Sequence, residues 1–258
     1  MGHSLKELRH FIVAAADGDI GEVKDVYFDD EHWAIRYMVV ETGRWLNGRK
    51  VLVSPISVRD VIWDDRIVNV ELSRQQVRDS PSIDTDKPVS RQHEVEYYNY
   101  YGYPNDWEGS NPRGLGFYPV PWVGASADSV LSAQRMDQAR MREPHPRVGG
   151  RPVDSHLRST REVIGYEIMA TDGTIGRVED FLFDAARWVV RYVVVDTRKW
   201  LRGKHVLLPP QYVASISWPE HEVYLTVAQD VVETSPDHEP SDPLQLEPET
   251  RVEDDNPR

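Results

Sequence analysis

Apolar and polar positions alternate along two well-separated stretches of the chain, and in both the period is that of a strand. From Trp33 to Glu41 the residues Trp33, Ile35, Tyr37 and Val39 fall on one parity and Ala34, Arg36, Met38 and Val40 on the other. A β-branched and aromatic run of this kind predicts a largely buried strand. Ile20–Phe28 predicts a second strand, joined to the first by the Asp29-Asp30-Glu31-His32 turn. Lys50–Val53, Val58–Trp63 and Ile67–Leu72 follow, separated by Pro55 and Asp64-Asp65. The same order returns as Ile175–Phe183, Trp188–Asp196, His205–Leu208, Val213–Trp218 and Val223–Val227. Five or six short strands with tight turns predict a barrel or small sandwich, because closure removes exposed edges.

The return is a duplication. Residues 4–81 align with 159–236 at a constant offset of 155 without a gap, and 29 of the 78 positions are identical. Six of the eight Trp form matched pairs, 33 with 188, 45 with 200 and 63 with 218. The expected fold is therefore mostly β, two small barrels related by internal duplication. Residues 82–158 form an aromatic-rich, partly helical connector and linker between them. Residues 237–258 form an acidic tail, predicted to be disordered because its composition does not repay the entropy of ordering. Two such barrels can pack on each other with pseudo-twofold symmetry, as a dimer does.

The repeated motif Asp17-Gly18-x-Ile20-Gly21-x-Val23-x-Asp25-x-x-Phe28-Asp29, followed by Trp33-x-x-Arg36-Tyr37 and Trp45-Leu46-x-Gly48, resembles the PRC-barrel family. That family includes the cytoplasmic domain of the photosynthetic reaction-centre H subunit and the C-terminal domain of a ribosome-maturation factor. The resemblance covers both repeats and implies a compact β-barrel that binds other proteins, with no catalytic residues to carry over. The reaction-centre subunit has an N-terminal membrane helix that this sequence lacks.

Composition narrows the function classes. There are no Cys, which excludes disulfides and thiolate metal sites. Apolar runs fall short of the ~20 residues that span a bilayer, and no signal region opens the chain, so a cytoplasmic location without membrane insertion is expected. Net charge is −13, of which residues 233–258 supply nine carboxylates against Arg251 and Arg258. The absence of a basic stripe argues against direct nucleic-acid binding. The basic stretch Arg135–Arg151 reads as a solvated linker.

Four features of the sequence bear on chemistry. Asp25, Asp29 and Arg36, repeated as Asp180, Asp184 and Arg191, suit an acid/base pair or a hard-cation site. The stronger reading is structural, with Asp29 and Asp184 as turn acceptors and Arg36 paired with Asp25 across adjacent strands. Trp45-Leu46 and Trp200-Leu201 either cap a barrel end, the favoured reading, or project as partner anchors. The connector gathers Tyr97, Tyr101, Trp107 and Trp122, with Ser90 positioned to cap a helix reaching Gly102. These rings either pack on the barrels or form a recognition surface. The nine His make no ligand pair, so no metal and no cofactor are expected.

The expected function is a non-catalytic protein-binding or scaffolding module with a protein partner and possible self-association. Its candidate contact residues are Trp45, Leu46, Trp200, Leu201, Tyr97, Tyr101, Trp107 and Trp122. The alternatives are a small-ligand binder or enzyme with a site between the barrels, and a ribosome-associated assembly factor.

Overall fold

The computed structural model describes residues 2–81, 100–101, 147–148, 151–152, 156–197 and 204–235. The first half contains β1 (Gly2–Ser4), α1 (Leu5–Leu8), β2 (Ile12–Ala15), β3 (Gly18–Asp29), β4 (Ile35–Thr42), β5 (Lys50–Val53), β6 (Val58–Ile62), β7 (Ile67–Val70) and α2 (Arg74–Asp79). A short ladder pairs β8 (Arg147–Val148) with β9 (Arg151–Pro152) inside the expected linker. The second half repeats the order as β10 (Leu157–Ser159), α3 (Thr160–Val163), β11 (Glu167–Ala170), β12 (Gly173–Asp184), β13 (Val189–Asp196), β14 (His205–Leu208), β15 (Val213–Ser217), β16 (Glu222–Leu225) and α4 (Gln229–Glu233). Among the described residues no helix is long and apolar enough to cross a membrane.

Each half is a sheet of its own six strands, ordered β5-β4-β3-β2-β7-β6 and β14-β13-β12-β11-β16-β15. The seventh strand of each sheet comes from the other half. β1 runs antiparallel to β12, with His3 opposite Phe183, and β10 runs antiparallel to β3, with Arg158 opposite Phe28. The exchange is possible because β3 and β12 are 12 residues long. The start of each pairs with its own β2 or β11, and its far end is free to take the visiting strand.

The two hairpin tips meet at the pseudo-dyad. Asp29 Oδ1 accepts the N–H groups of Glu31 and His32 at 2.8 and 2.9 Å, and Asp184 Oδ1 does the same for Ala186 and Arg187 at 2.9 and 3.3 Å. These Asx turns drive Trp33 and Trp188 into the left-handed region, at φ 60° and 54°. A bulky residue there costs about 1 kcal/mol or more. In return the carbonyls of the two Trp point across the dyad. Ile35 N donates to Trp188 O and Val190 N to Trp33 O, both at 2.8 Å. Phe28 and Phe181 pack between them with centroids 5.1 Å apart, and Trp33 and Trp188 lie against Phe28 and Phe183 at 5.4 and 5.5 Å. The buried side chains consequently form one continuous core through both halves.

The expected strand from Trp33 is corrected at this point. Trp33 belongs to the turn, and β4 starts at Ile35. The single-parity face is broken as well, because a register shift lies between Tyr27 and Phe28. Ile35 therefore joins Met38 and Val40 in the main core, while Tyr37 and Val39 pack on the opposite face with Tyr27 and Leu52. The second half carries the shift at Leu182/Phe183, with the same division of faces. β2 and β11, β1 and β10, and the four short α-helices were not predicted.

Candidate functional site

The repeated carboxylates are spent on the seam. Asp25 Oδ2 accepts the Ser159 hydroxyl at 2.5 Å, and its Oδ1 accepts Thr160 Oγ1 and Arg161 N at 3.1 Å each. It also takes its neighbour's Val26 N at 2.8 Å. Asp180 mirrors this with Ser4 Oγ at 2.5 Å, Lys6 N at 3.1 Å and Phe181 N at 2.7 Å. Each aspartate thus holds the first turn of the helix that follows the visiting strand, an orphan-donor position where a carboxylate is favoured. Ser4 and Ser159, the caps of those helices, use the same hydroxyl to receive Glu7 N and Glu162 N.

The expected Asp25–Arg36 cross-strand pairing does not form as drawn: the register partner of Asp25 is Val39, and its carboxylate faces the other half. The physical cause is the shift between Val23 and Asp25, which turns the side chain off the β3–β4 ladder. In the second half the arginine reaches the turn carboxylate instead, Arg191 Nη2 lying 3.4 Å from Asp184 Oδ2. Asp180 is held above the usual carboxylate range, first by burial, against which its hydroxyl and N–H donors act. Burial also lifts Asp29, but the His32 ring and the two turn N–H groups outweigh it and hold the carboxyl below its ordinary value.

Among the described residues one group has metal-ligand composition, Asp29, Glu31 and His32, whose ligand atoms lie within 4.8 Å of one another. Asp29 Oδ1 is already filled by two backbone donors, and the twin turn has Ala186 and Arg187 in place of the other two. The group serves the turn.

Trp45 packs on its own half. Its Nε1 donates to Ile20 O at 2.7 Å and the Arg74 guanidinium lies 4.3 Å above its ring, while Leu46 also lies against the core. Tyr101 packs against both buried clusters of the first half, beside Tyr100, whose hydroxyl donates to Gln76 O at 2.9 Å. Trp200, Leu201, Tyr97, Trp107 and Trp122 lie outside the described residues, as does the acidic tail.

Two surface hollows flank the halves. One, about 570 Å³, lies over Gly21 between Asp19, Glu22, Glu41 and Arg44. The other, about 390 Å³, lies in the second half between Glu162, Tyr166, Glu167 and His221. The second was legible only as a difference between copies, where Phe11, Ile12 and Arg66 are replaced by Tyr166, Glu167 and His221.

Comparison with known families gives the same two units. The family model for the PRC-barrel domain matches residues 2–76 and again 157–232. No curated protein matches the chain.

Proposed function

The chain belongs to the PRC-barrel family and carries the domain twice; from that premise we propose that it is a non-catalytic module that binds a protein partner. One observation carries the reading. The acids repeated in both copies, which are the obvious candidates for chemistry, are consumed by turns and by the seam. The differences between the copies include exposed positions, such as Arg66 in the first and His221 in the second. A ligand site between the barrels is the competing reading, and the seam argues against it, since Phe28, Phe181, Trp33 and Trp188 fill that space. A ribosomal role is disfavoured by the net charge of −13, which repels RNA phosphates.

The test is native mass spectrometry on the full chain captured from its own cells. A stoichiometric protein partner that survives Asp184→Asn supports the module. A small-molecule mass increment without a protein partner supports the ligand-binding alternative and overturns it.

A further inference from the structure

The second half presents a face that its twin has closed. In the first half Trp63 is covered by the His3 ring of β1, stacked at 3.4 Å between centroids and 6° between planes, with Phe11 at its edge. The residue matching His3 is Arg158, and Asp30 draws its guanidinium away at 2.7 Å. Trp218, the counterpart of Trp63, is left 56% exposed, the most open large apolar side chain among the described residues.

The hollow beside Trp218 is acidic. Glu167 is paired with Arg177 at 2.5 Å. Glu162, Glu220 and Glu222 have no ion pair among the described residues and are held by neutral donors. The Trp218 indole N–H donates to Glu162, and the Tyr224 hydroxyl lies 2.5 Å from Glu222 and 2.8 Å from Glu220. A phenol has one hydrogen to give, so two carboxylates gathered on it keep unused acceptor capacity and repel each other. The pair holds the Tyr224 hydroxyl well above its ordinary pKa.

A second, independent feature marks the same place. Tyr166 lines the hollow, is 5% exposed and stacks on His221 at 5.0 Å. Its hydroxyl is shielded from solvent and makes no hydrogen bond of ordinary geometry. Burial, then the Glu162 charge, push it up to about 12. At the matching positions the first half has Phe11, Ile67 and Asn69 where the second has Tyr166, Glu222 and Tyr224, so the fold itself does not demand this set.

Resting on the reading of the chain as a binding module, we propose that this face receives an arginine side chain from a segment of the partner protein, its guanidinium lying on the Trp218 indole and bridging Glu220 and Glu222. A planar cation matches both demands at once. It stacks on an aromatic face, and its fork of N–H groups suits paired carboxylates, whereas the lysine ammonium is a strongly hydrated point charge.

The test is calorimetric titration of the full chain with a nonapeptide rich in arginine and with its lysine counterpart of equal charge. Glu220→Gln/Glu222→Gln and Trp218→Ala are expected to weaken arginine-peptide binding at least tenfold. Glu31→Gln/Glu41→Gln, which removes the same net charge elsewhere, is expected to leave it unchanged. Trp218→Ala is also expected to abolish the preference for arginine over lysine. Equal losses in the site and control variants would mean attraction by net charge alone and overturn the proposal, as would absence of binding. Either result leaves partner capture untouched; loss of capture with selective peptide binding retained would overturn the module reading instead.

Discussion

Asp25 and Asp180 occupy equivalent positions but do not find equivalent surroundings. Thr160 gives Asp25 a hydroxyl at 3.1 Å, and the residue matching Thr160 opposite Asp180 is Leu5, which has none. At Asp180 burial prevails over the Ser4, Phe181 and Lys6 donors, and its carboxyl is raised. A raised folded pKa means that the native state binds the proton more tightly than the unfolded chain. Stability from this group therefore falls as pH rises from the ordinary carboxylate value through the raised one. Asp180→Asn should flatten stability across that acidic window, as read by urea denaturation at successive pH values; an unchanged slope would show that Asp180 does not titrate there. Asp25→Ala should cost about 3 kcal/mol in the same assay, since it leaves buried hydroxyl and N–H donors without an acceptor. His3 acts in the opposite sense. Burial against Trp63 lowers its pKa, so stability is lost as pH falls below 6.5 toward the depressed value. His3→Phe should remove that loss while keeping the stack.

At the scale of the element, what could be read from the chain was whatever repeats locally. The apolar runs Lys50–Val53 and Ile67–Leu72, set off by Pro55 and Asp64-Asp65, located β5 and β7, although β7 ends at Val70, and the Asp29 and Asp184 turns followed from residue type. Register shifts left no such mark. They depend on which residue of a neighbouring strand is opposite, and they moved Ile35 and Tyr37 to different faces. The three-residue β1 was illegible for a further reason, since Gly2-His3-Ser4 has no apolar pattern and its partner strand begins at Gly173. The arginine-binding face was invisible for the same cause: only the fold brings Glu162 beside Trp218. Gly21 has a role that its place in the repeated motif does not reveal. A Cβ there would lie 2.0 Å from Glu41 O, and at Gly176 it would lie 2.1 Å from Asp196 O. The strands β3 and β4 close only over a hydrogen atom. Gly21→Ala should therefore destabilise by about 3 kcal/mol, the upper range for overpacking against rigid backbone. A loss under about 0.5 kcal/mol, the size of an ordinary surface substitution, would show that the ladder yields.

At the scale of the molecule, the sequence repeat and the folded half are not the same unit. Each half completes its sheet with the other's first strand, so the chain is built like a strand-exchanged dimer joined into one polypeptide. The seam carries two antiparallel ladders, two backbone hydrogen bonds at the dyad and the rings of Phe28, Trp33, Phe181, Phe183 and Trp188. Its charges also distinguish the two copies. Lys6 pairs with Glu179 across the seam, whereas the matching residues on the other side, Arg161 and Lys24, are both cationic, and Lys24 turns to Glu22 at 2.8 Å. Two first repeats would set like charges together at both places, so the arrangement favours one copy of each kind. A chain cut once between residues 102 and 146 should therefore remain a single particle. At low micromolar concentration, size-exclusion chromatography with native mass spectrometry is expected to find the two fragments in one complex of unchanged elution, separating only in denaturant. Deleting Gly2–Ser4 before the cut strips β12 of its visiting strand and frees Asp180 of its Ser4 partner, and that complex should come apart at lower denaturant. Two folded fragments eluting separately from the cut native chain would refute the exchange as the force that holds the halves together.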